Sequence, residues 1–144
     1  VRRRGTLLKT DAIRKIGFPR KEYFLYGEDL EYSLRFLKFG YRFYWIPTSV
    51  CIERRQRGPL SNKIGGIYKE PFRLYYSFRN EVSIYFEYNR RYELLRTLAY
   101  AMKVFLFFFF SKGPRGVPEC RAVMQGIRDG FRGMLGKNRM YLPS

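Results

Sequence analysis

Tyr26-Gly27-Glu28-Asp29-Leu30-Glu31 places three of the chain's 12 carboxylates in four positions, in a protein of 144 residues with 29 Lys and Arg and a net charge of +17. Solvation alone would spread those acids out. Leu30, Leu34 and Leu37 follow at helical spacing, and Gly40 stands where a helix takes its left-handed stop. Residues 28–39 therefore read as one helix with the acids in its first turn. The unpaired N–H groups of that turn carry partial positive charge, and an exposed carboxylate beside them gains about 0.3–1 kcal/mol. This accounts for one or two of the acids. It leaves Gly27 and the aromatic approach Tyr23-Phe24-Leu25-Tyr26 unexplained. The chemical reading is that an ionised carboxylate, Asp29 or Glu28, stands at the end of an approach that includes Tyr26, where it can take a proton from a hydroxyl nucleophile.

Before this turn, residues 1–4 form a basic run. Gly5 permits close backbone approach, and residues 6–8 read as a short buried strand that belongs inside a sheet. Thr10 caps a short helix through Ile16, with Ile13 and Ile16 toward the core, and Gly17 and Pro19 end it. Glu31 and Arg35 are spaced for an i,i+4 ion pair. After Gly40, residues 41–46 read as a strand stopped by Pro47 and residues 49–53 as a second, with Trp45 in the core. Glu53-Arg54-Arg55-Gln56-Arg57-Gly58-Pro59 concentrates charge in a loop. It is either a solvated turn or a clamp in which Arg54, Arg55 and Arg57 grip a donor pyrophosphate or lipid phosphate. Residues 61–66 read as a Gly-rich loop able to order over substrate.

From Pro71 the pattern is helical. Phe72, Tyr75, Tyr76, Arg79, Asn80, Ser83 and Ile84 fall at helical spacing. Arg79 and Asn80 either tie this helix to the sheet or reach an acceptor phosphate. Residues 92–110 are strongly apolar but carry Arg96 and Lys103, and the uncharged part falls short of the ~20 residues of a membrane span. The pattern instead fits a helix in the membrane interface, with Leu95, Leu98, Met102, Phe105 and Phe109 opposite Tyr92, Arg96, Tyr100 and Lys103. A buried helix in a helical pair is the alternative. After the break at residues 111–118, a second amphipathic helix sets Cys120, Val123, Met124, Ile127 and Phe131 against Arg121, Gln125, Arg128 and Arg132, a pattern that favours anionic lipid. Its glycines weaken it as an isolated helix, and residues 137–144 read as loose.

Cys51 and Cys120 lack the spacing of a zinc site or disulfide framework and read as small core residues. With no histidine in the chain, Ser-His and Cys-His nucleophiles are excluded within it, so carboxylates must do any acid or base work. The positive field calls for anionic partners, and an aromatic content of 19% is more than a core this size needs, so part of it should lie on a surface.

The run Gly5-Thr6-Leu7-Leu8-Lys9, then Ile13-Arg14-Lys15-Ile16-Gly17-Phe18, Tyr23-Phe24-Leu25-Tyr26-Gly27-Glu28-Asp29-Leu30-Glu31, Leu34-Arg35, Gly40-Tyr41 and Ile46-Pro47 resembles, in order and spacing, the C-terminal half of the catalytic domain of family-2 inverting glycosyltransferases. Tyr75-Tyr76, Arg79-Asn80 and the basic helical tail resemble its bacterial rhamnosyl- and galactofuranosyl-type members. The resemblance implies an α/β fold. Residues 1–66 would be the second half of a GT-A (nucleotide-diphospho-sugar transferase) domain and residues 67–144 an amphipathic helical, membrane-associating extension. It makes Asp29 the general base and Glu28 its positioning neighbour, and it puts Gly5 at the acceptor loop. Glu53 takes the place of a metal-binding histidine, and its oxygen suits Mg²⁺ or Mn²⁺. The expected partners are a nucleotide-sugar donor, a glycan or lipid-linked acceptor and an anionic membrane at the cytoplasmic face. The chain has no Asp-x-Asp motif, so the donor half is expected before Val1 and this segment alone is expected to be inactive. Two rival classes remain: a basic nucleic-acid-binding protein, in which Arg meets phosphate and Tyr or Phe stacks on bases, and a non-catalytic membrane-associated remnant.

Overall fold

A computed structural model describes residues 6–50, 52, 63–64, 67–68 and 70–142. The helices are α1 (Thr10–Ile16), α2 (Glu28–Lys38), α3 (Pro71–Glu87), α4 (Arg91–Lys112) and α5 (Val117–Phe131), with 3-10 turns at Lys21–Tyr23, Gly113–Gly116 and Arg139–Tyr141. The strands β1 (Lys63–Ile64) and β2 (Ile67–Tyr68) pair antiparallel, Lys63 with Tyr68 and Ile64 with Ile67.

The expected α/β GT-A domain is corrected by this architecture. Among the described residues the fold is helical, and the two-residue ladder is its only strand pairing. The expected strands at 6–8 and 41–46 are irregular and unpaired. An alternation holds over residues 6–8 and 41–44 only: Thr6, Leu8, Tyr41 and Phe43 are partly buried against α1 and α2, while Leu7, Arg42 and Tyr44 face out. Trp45 and Ile46 are then exposed in succession. A helix satisfies its own N–H and C=O groups, whereas a strand needs a neighbour to do so. No described segment supplies that neighbour, so the inward pattern survives without a ladder. Ser49, Val50 and Ile52 form no strand either. Trp45, expected in the core, is 88% exposed.

Two cores result. The smaller joins Ala12, Ile16, Tyr32 and Phe36, with Leu8, Tyr41 and Phe43 against them. Helix α2 thus turns Tyr32 and Phe36 inward rather than the Leu30-Leu34-Leu37 row, and Leu37 is exposed. The larger core belongs to α3, α4 and α5. Ring contact of Phe78 with Tyr100 and the bond from Thr97 to Glu81 show α4 returning antiparallel along α3. Helix α5 then runs beside α3 in the same sense. Gly126 and Gly130 make this possible: a Cβ on Gly126 would lie 2.7 Å from the Tyr75 carbonyl oxygen, and one on Gly130 would lie 2.6 Å from that of Arg79. The glycines that lower the intrinsic helix propensity of α5 are the residues that let it seat on α3. Its buried face is Cys120, Ala122, Val123, Gly126, Asp129 and Gly130, while Met124 and Phe131 are exposed. The segment expected to be loose is partly anchored. Tyr141 is buried and stacks on Tyr75 at 4.3 Å, and the Asn138 N–H donates to the Tyr76 hydroxyl at 2.9 Å.

Helix α4 buries Thr97, Ala101, Val104 and Phe108 against the bundle. Leu95, Met102, Leu106, Phe109 and Phe110 are exposed on it. The helical run Arg91–Phe131 contains an 18-residue window of mean hydropathy 1.5, long and apolar enough to cross a membrane, of which 22% is buried. The 22 residues of α4 reach about 33 Å at ~1.5 Å per residue, near the ~30 Å of a hydrocarbon core. By length and composition α4 could therefore reach across a membrane, with Arg96 and Lys103 exposed along it.

Candidate active site

The acidic turn is held in a backbone conformation that ordinary side chains avoid. Phe24 has φ 60° and ψ −63°, and the Leu25 N–H donates to the Tyr23 carbonyl at 2.7 Å. This is the rare positive-φ γ-turn. Tyr26 (φ 63°) and Gly27 (φ 81°) follow in the left-handed region. Positive φ at a bulky aromatic is strained, and strain of ~1–3 kcal/mol per residue persists only where its surroundings over-determine it.

The surroundings here are Arg79 and Asn80, in the middle of α3. The two N–H groups of the Asn80 side-chain amide are shared among the carbonyls of Tyr23 (2.9 Å), Leu25 (2.6 Å) and Tyr26 (2.8 Å). Arg79 orients that amide through its Nε, 2.8 Å from Asn80 Oδ1. It also donates to the Tyr23 carbonyl at 3.1 Å and to the Gly136 carbonyl at 2.6 Å. The Gly136 N–H in turn reaches the Glu22 carbonyl at 2.6 Å. Both side chains are fully buried, and the Arg79 guanidinium lies over the Tyr76 ring at 4.7 Å. Of the two readings of Arg79-Asn80, the tie is the one formed, and its target is the aromatic approach rather than a sheet. Gly27 is now explained twice, by its positive φ and by space: a Cβ there would lie 3.1 Å from both Asn80 Cβ and Ile84 Cδ1.

Asn80→Leu should therefore destabilise the protein by about 3 kcal/mol, because it leaves buried carbonyls without a donor and frees a strained turn. Urea unfolding measures this; a loss below about 1 kcal/mol would mean the clamp is not what holds the turn.

The three acids separate into different roles. Glu31 is fully buried. It accepts from Arg35 at 3.0 Å and from the Tyr88 hydroxyl at 2.9 Å, with Arg20 at 3.5 Å. The expected Glu31–Arg35 pair is present, and this acid is structural. Arg20 forks onto Glu87 at 2.8 and 2.9 Å, and that bond holds its guanidinium still further above its ordinary range. Burial pushes the neighbouring Tyr23 phenol up to about 12. Asp29 instead lines a cleft of about 90 Å³ with Thr6, Leu8, Tyr32, Ser33, Phe36 and Phe43. This is smaller than the ~300–1,000 Å³ of small-molecule pockets, so it fits one edge of a ligand. The Ser33 hydroxyl, one turn on, donates to the Asp29 carbonyl at 2.7 Å and fixes the backbone there. Glu28 is half-buried and does not line the cleft.

Tyr26 serves as a brace. Its hydroxyl accepts from Arg73 and its ring packs on the larger core. Gly5, Glu53, Arg54, Arg55, Arg57 and Cys51 lie outside the described residues. Among the described residues no three His, Cys, Asp or Glu side chains gather as a metal site. The walls Thr6, Leu8 and Phe43 escaped the sequence reading because they come from segments distant in the chain. Ser33 was within reach of it, being four residues from Asp29 and on the same helix face. Comparison with family models, with curated proteins and with solved structures gives no match to this chain.

Proposed function

We propose that this chain supplies the acceptor-side base of an inverting glycosyltransferase of the hexosyltransferase type, moving a sugar from a nucleotide-sugar donor to a hydroxyl of a lipid-linked or cell-envelope glycan. The observation that carries the reading is the placement of Asp29. A strained turn clamped by Asn80 leads into the helix on which Asp29 lines a cleft, while Glu31 is buried in an ion network with Arg35. The spelling of residues 5–47 supports the same chemistry through its resemblance to family-2 enzymes.

In this reading Asp29 accepts the proton of the acceptor hydroxyl as that oxygen attacks the anomeric carbon. The bond to the nucleoside diphosphate breaks on the opposite face, and the diphosphate leaves with the electron pair. One base and a single displacement give inversion, the logic that also separates inverting from retaining glycosidases. Arg54, Arg55 and Arg57 are proposed as phosphate contacts and Gly5 as part of the acceptor loop. Glu53 is the one ligand proposed for Mg²⁺ or Mn²⁺. The exposed apolar stripe of α4, with Arg96 and Lys103 also exposed on that helix, supports a peripheral seat on the anionic cytoplasmic face of the plasma membrane. The same stripe disfavours the nucleic-acid reading, which has no use for it.

The test is transfer itself. The full-length gene product, offered a panel of nucleotide sugars and a lipid-glycan extract, should release nucleoside diphosphate only when acceptor is present. Absence of acceptor-dependent release from every donor, alongside salt-sensitive RNA binding, would overturn the reading.

A further inference from the structure

At the end of the bundle where α3 and α5 begin and α4 finishes, a groove of about 430 Å³ opens between Phe72, Val117, Pro118, Arg121, Met140 and Leu142. Its volume falls within the ~300–1,000 Å³ of small-molecule sites, and its make-up, apolar walls with one charged group, is the usual one for such sites. The charge is unbalanced in one direction. Nearby Glu70 is matched by Arg73 at 3.3 Å and Glu119 by Lys112. Arg121 is exposed on the groove wall and has no carboxylate partner among the described residues. The rim is apolar and open to solvent, with Val117, Met140 and Leu142 each about half exposed or more. Phe109 and Phe110 are exposed at the finish of α4.

We infer that this groove binds the acyl chain of an anionic lipid, with the chain along Phe72, Val117, Met140 and Leu142 and the phosphate on Arg121. An apolar trough that carries one guanidinium with no carboxylate partner among the described residues complements a molecule that is hydrocarbon at one end and anionic at the other. A free phosphate has no use for the trough, and a neutral lipid has no use for Arg121. The inference builds on the membrane-facing part of the proposed function and is independent of Asp29.

The experiment is calorimetric titration of the full chain with octanoyl lysophosphatidic acid below its micelle concentration. Mono-octanoylglycerol and inorganic phosphate are the comparison probes, and circular dichroism confirms folding of each variant. Lysophosphatidic acid should bind about tenfold or more tighter than the uncharged glyceride, a difference of about 1.4 kcal/mol, and inorganic phosphate should show no binding. Arg121→Gln should remove that preference. Val117→Trp, which fills the mouth from an exposed position, should abolish binding of both lipids, with Met140→Trp as the second blocking variant. Asp29→Asn should bind as the wild type does, so a failed base assignment and a failed lipid site give different results. Equal binding of inorganic phosphate and the lipid phosphate would assign the site to free phosphate and overturn the proposal. Unchanged affinity in Arg121→Gln and in both tryptophan variants would overturn it as well.

Discussion

Asp29→Asn in the full-length gene product should lower kcat for sugar transfer by about 10²- to 10⁴-fold, the usual contribution of a positioned general base, with the KM for donor nearly unchanged. The amide keeps the size and the hydrogen-bonding edge of the carboxylate but cannot take a proton, so donor binding has no reason to change. The split between kcat and KM is the informative part: an interaction made only in the transition state lowers kcat and kcat/KM together. Glu28→Gln should cost less, since Glu28 does not line the cleft. Equal losses in both variants would point to helix-terminus electrostatics rather than base catalysis, because both acids sit in the first turn of α2 and share its dipole. Steady-state kinetics on the two variants decides between them.

The second large effect is structural. Gly126→Leu should destabilise the protein by about 4 kcal/mol or more, beyond the usual range for a single substitution. The position is closed on its α3 side by backbone: even a Cβ would stand 2.7 Å from the Tyr75 carbonyl oxygen and 3.3 Å from the Arg79 nitrogen. No rotamer avoids an atom of the main chain, so α3 and α5 must separate. Separation would also strain the Tyr75 hydroxyl bond to Asp129, now 2.9 Å, and the stack of Tyr75 on Tyr141. Leucine is a far better helix former than glycine, by ~0.8–1 kcal/mol, so a propensity-only view predicts stabilisation. Chemical denaturation therefore distinguishes packing from propensity by sign. Met124→Leu, on the exposed side of α5, should stay within about 0.5 kcal/mol.

Several helix ends were legible, but not the start of α1: Thr10, expected as its cap, is its first helical residue, and the N-cap Lys9 makes no side-chain capping bond. Gly17 and Gly40 stop α1 and α2 at positive φ, Pro71 opens α3, and the Glu31–Arg35 spacing reports a bond that forms. The strand readings at 6–8 and 41–46 matched a period of two only as far as residue 44, and pairing, which depends on a neighbour that a local pattern does not contain, is missing. The inward faces of α2 and α5 were misjudged for a related reason. Hydrophobic spacing favoured Leu37 and Met124, whereas Tyr32, Phe36, Gly126 and Gly130 face inward. On α5 the close backbone approach at Gly126 and Gly130 sets the inward face; on α2 it is the aromatic pair Tyr32 and Phe36, packed against Ala12 and Ile16, that outweighs the leucine row. In the candidate site, the acids and the Arg79-Asn80 pair could be picked out from spelling. Their division of labour could not, since it follows from which carboxylate meets Arg35, Arg20 and Tyr88 and which meets the cleft. The γ-turn at Phe24 was invisible, because nothing in the residue type of a phenylalanine signals positive φ.

The central claim is that Asp29 acts as the sole base in a single displacement, and the stereochemistry of the product tests it most directly. Proton NMR of the sugar transferred by the full-length gene product, read from the first turnovers, gives the anomeric configuration. The prediction is a product inverted relative to the donor, formed by the wild type and absent in Asp29→Asn. A product of retained configuration, or transfer that continues undiminished in Asp29→Asn, would contradict it.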